Sequence, residues 1–133
     1  MTVALGDGRL ASVARASELV PGLRLLVLHG SRARNEGHAL SDWDFAYEAD
    51  ASFDADALLA GLADALHADH IDLADLSRAG ALLRHRVARD GVVVLERPAG
   101  RFEQFRLDAI HTWCDLAPVL EPLYEQALER TAR

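Results

Sequence analysis

His29-Gly30-Ser31-Arg32-Ala33-Arg34-Asn35-Glu36-Gly37-His38-Ala39-Leu40-Ser41-Asp42-Trp43-Asp44 is the stretch that decides how this chain is read. The run leading into it, Leu23 to His29 (LRLLVLH), is short, apolar and rich in strand formers, which predicts a buried strand. That strand stops at Gly30-Ser31. Ser31 to about Glu36 can open a helical turn, and the polar run Asn35 to Ser41 reads as a loop. Asp42 to Glu48 (DWDFAYE) then alternates. Asp42, Asp44 and Ala46 share one face, while Trp43, Phe45 and Tyr47 share the other. That pattern suits a strand with one packed face and one working face.

Each part of this stretch has a chemical rationale. Glycine at a strand end lets backbone approach a ligand closely, because it has no Cβ. The serine beside it offers a hydroxyl and a backbone N–H at the start of a helical turn, where free N–H groups favour phosphate oxygens. Two carboxylates on one strand face repel each other, and a hard cation such as Mg²⁺ relieves that repulsion. A metal shared between them and a triphosphate would neutralise charge as the α-phosphate is attacked.

Outward from this stretch, strands and helices alternate. Leu10 to Leu19 predicts a first helix, ended by Pro21-Gly22. Asp54 to His67 is the clearest helix: Asp54 is its N-cap, and Leu58, Leu59, Leu62, Ala65 and Leu66 form its apolar stripe. His70 to Leu76 (HIDLADL) predicts a strand, Ala79 to Arg89 a helix ended by Asp90-Gly91, and Val92 to Glu96 (VVVLE) a strand stopped by Pro98. Phe102 to Arg133 is mostly helical, with Pro118 and Pro122 expected to break or kink it. Alternation of this sort implies a sheet of about four strands covered by helices. One domain over residues 1–133 is expected, with a core at about 23–96 and a C-terminal helical segment at 99–133.

Composition narrows the function further. The chain has 133 residues and half of them are hydrophobic, enough for one compact core. No apolar run approaches the ~20 residues of a membrane span, and Met1 to Leu10 has no signal-peptide pattern. The net charge of -7 argues against direct nucleic-acid binding. All fourteen basic residues are arginine, which removes a P-loop or a Schiff-base lysine. One cysteine, Cys114, makes no internal disulfide and fits a reducing, cytoplasmic setting. His111 and Cys114 have metal-ligand spacing but lack a second pair, so no zinc site is expected. Ser31 lacks the G-x-S-x-G context of a nucleophile elbow. Phe102, Phe105 and Trp113 recur at near-helical spacing, as core or interface packing.

Gly-Ser, ten residues (Arg32 to Ser41) and Asp-x-Asp resembles the active-site signature of the DNA polymerase β-like nucleotidyltransferase superfamily. Gly30–Arg34 and Ser41–Asp44 are most similar to the small MNT group, and the likeness spans roughly Leu23 to Glu96. The resemblance implies the polymerase β-like fold, an α+β arrangement with a small mixed sheet of about four strands flanked by helices, with Asp42 and Asp44 as catalytic residues that hold Mg²⁺. It implies a third carboxylate on a neighbouring strand, which completes the metal site and acts as base. Asp72 fits by position. It lies between Ile71 and Leu73, where an unpaired carboxylate is costly unless functional, whereas Asp75 near the strand end can be solvated or cap the next helix. Gly30 and Ser31 would bind phosphates, joined by Arg32 and Arg34 unless these are solvated helix arginines. Arg84, Arg86 and Arg89, with His85, are either a segment near the nucleotide or partner, or a charged helix face. His38 in the loop carries no assigned role.

The reaction this implies is transfer of AMP from ATP to a hydroxyl. MNT proteins commonly form the antitoxin half of a module with a HEPN-type RNase toxin, and the resemblance implies AMP transfer to a toxin tyrosine. At 133 residues the chain is expected to lack the large extra domain that polymerases and many antibiotic-modifying members use to hold their acceptor, an expectation that favours a protein acceptor. The alternatives are a small-molecule, aminoglycoside-like nucleotidyltransferase, a non-catalytic binding module that neutralises its partner, and a stand-alone domain with an unrelated partner.

Overall fold

The computed structural model describes residues 8–34 and 42–132; His38 and Ser41 lie outside the described residues. The elements are α1 (Arg9–Glu18), β1 (Leu23–His29), α2 (Gly30–Ala33), β2 (Trp43–Ala49), α3 (Ala55–Leu66), β3 (Ile71–Asp75), α4 (Ala81–Asp90), β4 (Val92–Glu96) and α5 (Arg101–Ala132). The four strands form one mixed sheet in the order β3-β2-β1-β4. β1 pairs antiparallel with both β2 and β4, and β2 pairs parallel with β3. The expected sheet between helices is what forms.

β1 is central, and it explains its own apolar run. Leu23, Leu26 and Leu28 join Trp43, Phe45, Leu58 and Leu62 in a core under α1 and α3. Leu25 and Val27 join Ala46, Val87, Phe105 and Ala109 in a second core under α4 and α5. Strict alternation would put Leu23 and Leu25 on one face. An irregularity in the β1–β2 register between them, at exposed Arg24, separates the two leucines to opposite faces. Both faces of β1 are therefore buried, as the unbroken LRLLVL run requires.

The helix ends follow local chemistry. Asp54 caps α3, its Oδ1 accepting from the backbone N–H of Asp56 at 3.0 Å and of Ala57 at 3.2 Å. Those are donors that the first helical turn leaves without partners. Asp75 closes the end of β3 in a similar way, accepting from the Ser77 N–H at 2.9 Å and its hydroxyl at 2.7 Å.

α5 is assigned as helix throughout, with Pro118 and Pro122 inside it. It is nonetheless bent. The rings of Trp113 and Tyr124 stack with centroids 6.5 Å apart. Eleven residues of straight helix would separate their Cα atoms by about 16 Å along the axis. By helical periodicity both prolines fall on the opposite side of the helix from this stack. Each ring crowds the carbonyl four residues back and opens that side, so the axis curves toward Trp113 and Tyr124. The sequence offered a break or a kink; a kink within a continuous helix is observed.

Candidate active site

β1 ends at His29, and the chain turns at once through Gly30 into the single turn α2. Gly30 has φ +75°, a backbone conformation that side-chain-bearing residues rarely adopt. A Cβ there would stand 2.5 Å from Asp44 Oδ2. Two independent constraints, conformation and space, thus require glycine. The tight turn sets the backbone of Gly30 and Ser31 directly against the carboxylate face of β2.

Three aspartates gather on that face. Asp44 is the register partner of Asp72 across the parallel β2–β3 pair, so both side chains stand on the same side of the sheet. Asp42 precedes β2 by one residue. Burial chiefly, and then the negative charges of Asp72 and Asp42, raise the Asp44 pKa above the ordinary carboxylate range; the Asp44–Asp72 hydrogen bond acts in the same direction and His29 opposes it. Among the described residues, no group of three or more His, Cys, Asp or Glu side chains stands ready to hold a metal ion. The structure brings Asp44 together with Asp42 and with Asp72 without closing the three into one cage. The donors are hard carboxylate oxygens under mutual repulsion, which fits Mg²⁺.

Asp72 is exposed, which corrects the argument that placed it among buried neighbours. β3 is the sheet edge, so a carboxylate there is solvated at little cost. Its registry with Asp44 is what singles it out. Asp75, the competitor, serves the turn after β3 and pairs with Arg78 at 3.9 Å.

His29 is the residue that sequence reading passed over. It is the antiparallel register partner of Asp44 and lies half-buried on the same face. Burial lowers its pKa, which the Asp44 charge and a hydrogen bond to the Phe45 backbone partly restore. Two-residue alternation from Leu25 through Val27 already pointed it to this face.

The arginines divide by role. Arg32 is only 7% exposed, and its guanidinium lies 3.9 Å from the centre of the Trp43 ring, with Arg9 at 5.2 Å. Trp43 faces the α1–α3 core, away from the carboxylates. Arg34 is exposed near His29 and Asp90, whose titrations its charge influences. Arg84 donates to the Leu76 carbonyl at 2.5 Å and stacks over Phe105 at 4.9 Å, tying α4 to the end of β3 and to α5. Arg89 pairs with Asp90 at 2.8 Å, and Arg86 is exposed. The arginine cluster therefore resolves into packing, a surface pair and one solvated side chain. His111 and Cys114 are both exposed on α5.

Comparison with known proteins shows the family and the fold. The chain is 37% identical over 100 residues to protein adenylyltransferase MntA of Aphanizomenon flos-aquae. That alignment covers 65% of this chain and 66% of the relative, just under two thirds of its length. A crystal structure of a toxin–antitoxin with AMP-PNP superposes with a TM-score of 0.70 at 27% identity, covering 93% of this chain and 99% of the matched one. The MNT antitoxin complex with tri-AMPylated Shewanella oneidensis HEPN toxin shares the fold, with a TM-score of 0.65 at 24% identity over 90% of this chain and 96% of that one. Residues 15–99, more than half of the chain, match the family described as polymerase beta, nucleotidyltransferase. With the Gly30 turn set against the Asp44–Asp72 pair, the chain belongs to the polymerase β nucleotidyltransferase family.

Proposed function

We propose that this chain is a protein adenylyltransferase that acts as an antitoxin, moving AMP from ATP onto a tyrosine hydroxyl of a HEPN-type RNase toxin. The observation that carries this reading is the close approach of the Gly30 turn to Asp44, itself in register with Asp72. The adenylyltransferase relative and the AMP-PNP-bound toxin–antitoxin structure support the choice of nucleotide and of a protein acceptor.

In this reading, backbone and hydroxyl donors of Gly30 and Ser31 hold the triphosphate, with Arg34 beside them. Arg32 braces the turn from behind through Trp43. Asp42, Asp44 and Asp72 would hold Mg²⁺, which when bound supplies positive charge against the triphosphate. The acceptor oxygen bonds to the α-phosphorus as the bond from that phosphorus to the pyrophosphate oxygen breaks. Pyrophosphate leaves with the electron pair, and the hydroxyl proton passes to Asp72. Exposure of Asp72 at the sheet edge suits this role, because an acceptor on the surface of another protein must reach its base. The protein would work in the cytoplasm, beside its ATP and its partner.

The test is incubation with ATP labelled in its AMP moiety and Mg²⁺, with the protein encoded by the adjacent gene present or absent. Label on the partner that disappears in the Asp42→Ala/Asp44→Ala variant is the expected result. Tight partner binding without label would leave a binding module and overturn the enzymatic reading.

A further inference from the structure

His29 has no part in the transfer chemistry, yet it stands inside the site. β1 is an inner strand of the sheet, and alternation from Leu25 through Val27 sets His29 on the face that carries the carboxylates. On that face Asp44 has one neighbour on each side. His29 lies in antiparallel register with it on β1, and Asp72 in parallel register on β3. Opposed residues of an antiparallel pair hold their Cβ atoms about 4.5–5.5 Å apart, so the His29 ring and the Asp44 carboxylate, both half-buried, are in reach of each other. Over Asp44 lies the Gly30 turn, where a Cβ would meet Oδ2 at 2.5 Å and Cγ at 3.2 Å. Three sides of the carboxylate are therefore occupied.

The three sides act differently. Two neighbouring carboxylates repel, and Asp72 lies on the edge strand, so its push on Asp44 is directed toward β1. An aspartate side chain answers such a push by turning about χ1 into another staggered well. Gly30 closes the way over the top, and the His29 ring closes the way toward β1. The ring is itself held. A hydrogen bond ties it to the Phe45 main chain, and α4 backs this face of β1 so closely that a Cβ on Gly91 would stand 2.5 Å from Val27 Cγ1. We infer that His29 is a positioning residue, whose ring is the wall that keeps the Asp44 carboxylate turned toward Asp72 and the Gly30 turn. The inference rests on the reading above, in which Asp44 and Asp72 hold Mg²⁺. Bulk performs this task, so phenylalanine should serve in its place and alanine should not. Groups that orient metal ligands from outside the coordination sphere are typically worth about ten- to a hundredfold in metal affinity.

The experiment compares the wild-type chain with His29→Ala, His29→Phe and His29→Asn. Crystal structures without metal read the Asp44 side chain directly, and calorimetry reads Mg²⁺ binding in the presence of AMP-PNP. His29→Ala should let Asp44 turn toward β1 and weaken Mg²⁺ binding about tenfold or more. His29→Phe should keep Asp44 in place and bind Mg²⁺ close to the wild-type affinity. His29→Asn, intermediate in size, should fall between them, and it replaces His29→Ala in the comparison if that variant does not fold. A lowered melting temperature with Asp44 unmoved and Mg²⁺ affinity unchanged would reduce His29 to core packing and overturn the inference. So would His29→Phe binding Mg²⁺ as weakly as the small variants, which would move the role to the ring nitrogens. AMP transfer is read separately. A wild-type chain that binds Mg²⁺ with AMP-PNP but labels no partner would defeat the enzymatic reading and leave the positioning role standing, whereas labelling together with normal Mg²⁺ binding in the small variants would do the reverse.

Discussion

Asp44 and Asp72 stand side by side across the parallel β2–β3 pair, two carboxylates on one face held close by backbone registry. Without a cation this pairing costs stability, since like charges opposed across strands destabilise a sheet. Burial chiefly, with the Asp72 charge adding to it, raises the Asp44 pKa. The folded state binds that proton more tightly than the unfolded chain does, so the pair's contribution is most favourable at acid pH and is lost as pH rises through the raised value. Asp44→Asn should therefore stabilise the metal-free protein at neutral pH, by about 0.2–1 kcal/mol, the size of one cross-strand pair. Thermal melts in EDTA from pH 4 to pH 7.5 check this. The advantage of the variant should shrink toward the acid end; an advantage independent of pH would show that charge is not its source.

His29 reports on the same carboxylate from the other side. Burial depresses its pKa and Asp44 partly restores it. Asp44→Asn should move the His29 titration further below the ordinary imidazole range, as followed by NMR of the ring protons. An upward shift would mean that the two side chains do not face each other.

Gly30 should tolerate no side chain. Alanine there meets Asp44 and must hold a positive φ, a conformation that costs an L-residue about 1–2 kcal/mol. Gly30→Ala should lower the melting temperature and reduce nucleotide transfer at least a hundredfold, by pushing the Asp44 carboxylate from its place. Near-normal transfer would show that the turn does not set the position of Asp44.

Arg32 and Arg34, two residues apart, should behave differently. Arg32→Ala removes a buried guanidinium from the Trp43 ring and should cost about 1–2 kcal/mol of stability. Arg34→Ala should leave the melting temperature within a degree or two and instead raise the KM for ATP. If Arg32→Ala left stability intact and raised KM alone, its role would be phosphate binding and the packing account would fail.

The cap on α3 is remote from the chemistry. Asp54→Ala leaves two N–H groups without their acceptor and should cost about 1 kcal/mol, typical of a lost N-cap, with kcat unchanged. Chemical denaturation beside a transfer assay separates the two effects.

Much of this was legible in the chain because periodicity and turn chemistry act locally. Leu23–His29 and Val92–Glu96 were readable as strands from their apolar runs, Asp54 as a cap, and Asp42 and Asp44 as face-sharing carboxylates. What escaped is what depends on registry between segments. The irregularity near Arg24 that lets β1 bury both faces is a property of the β1–β2 pair. Asp72 was selected by its neighbours in sequence, whereas its exposure and its place beside Asp44 come from β3 lying at the sheet edge. Arg84 looked like part of a charged cluster, and only the end of β3 and the Phe105 ring reveal its use. His29 was passed over because nothing in its own neighbourhood shows that Asp44 lies opposite. Pro118 and Pro122 announced a disturbance in α5, but its form, a bend toward Trp113 and Tyr124, depends on which side of the helix the two rings and the two prolines occupy.

The central claim is that the bond at the α-phosphorus is the one that exchanges. It is tested most directly by running parallel reactions with ATP labelled at the α-phosphate and at the γ-phosphate, each with Mg²⁺ and the adjacent-gene protein. The account predicts α-label on that protein, γ-label recovered only in pyrophosphate, and neither transfer with Asp42→Ala/Asp44→Ala. Transfer of γ-label to the partner would contradict it, because the chemistry would then be phosphoryl rather than nucleotidyl transfer.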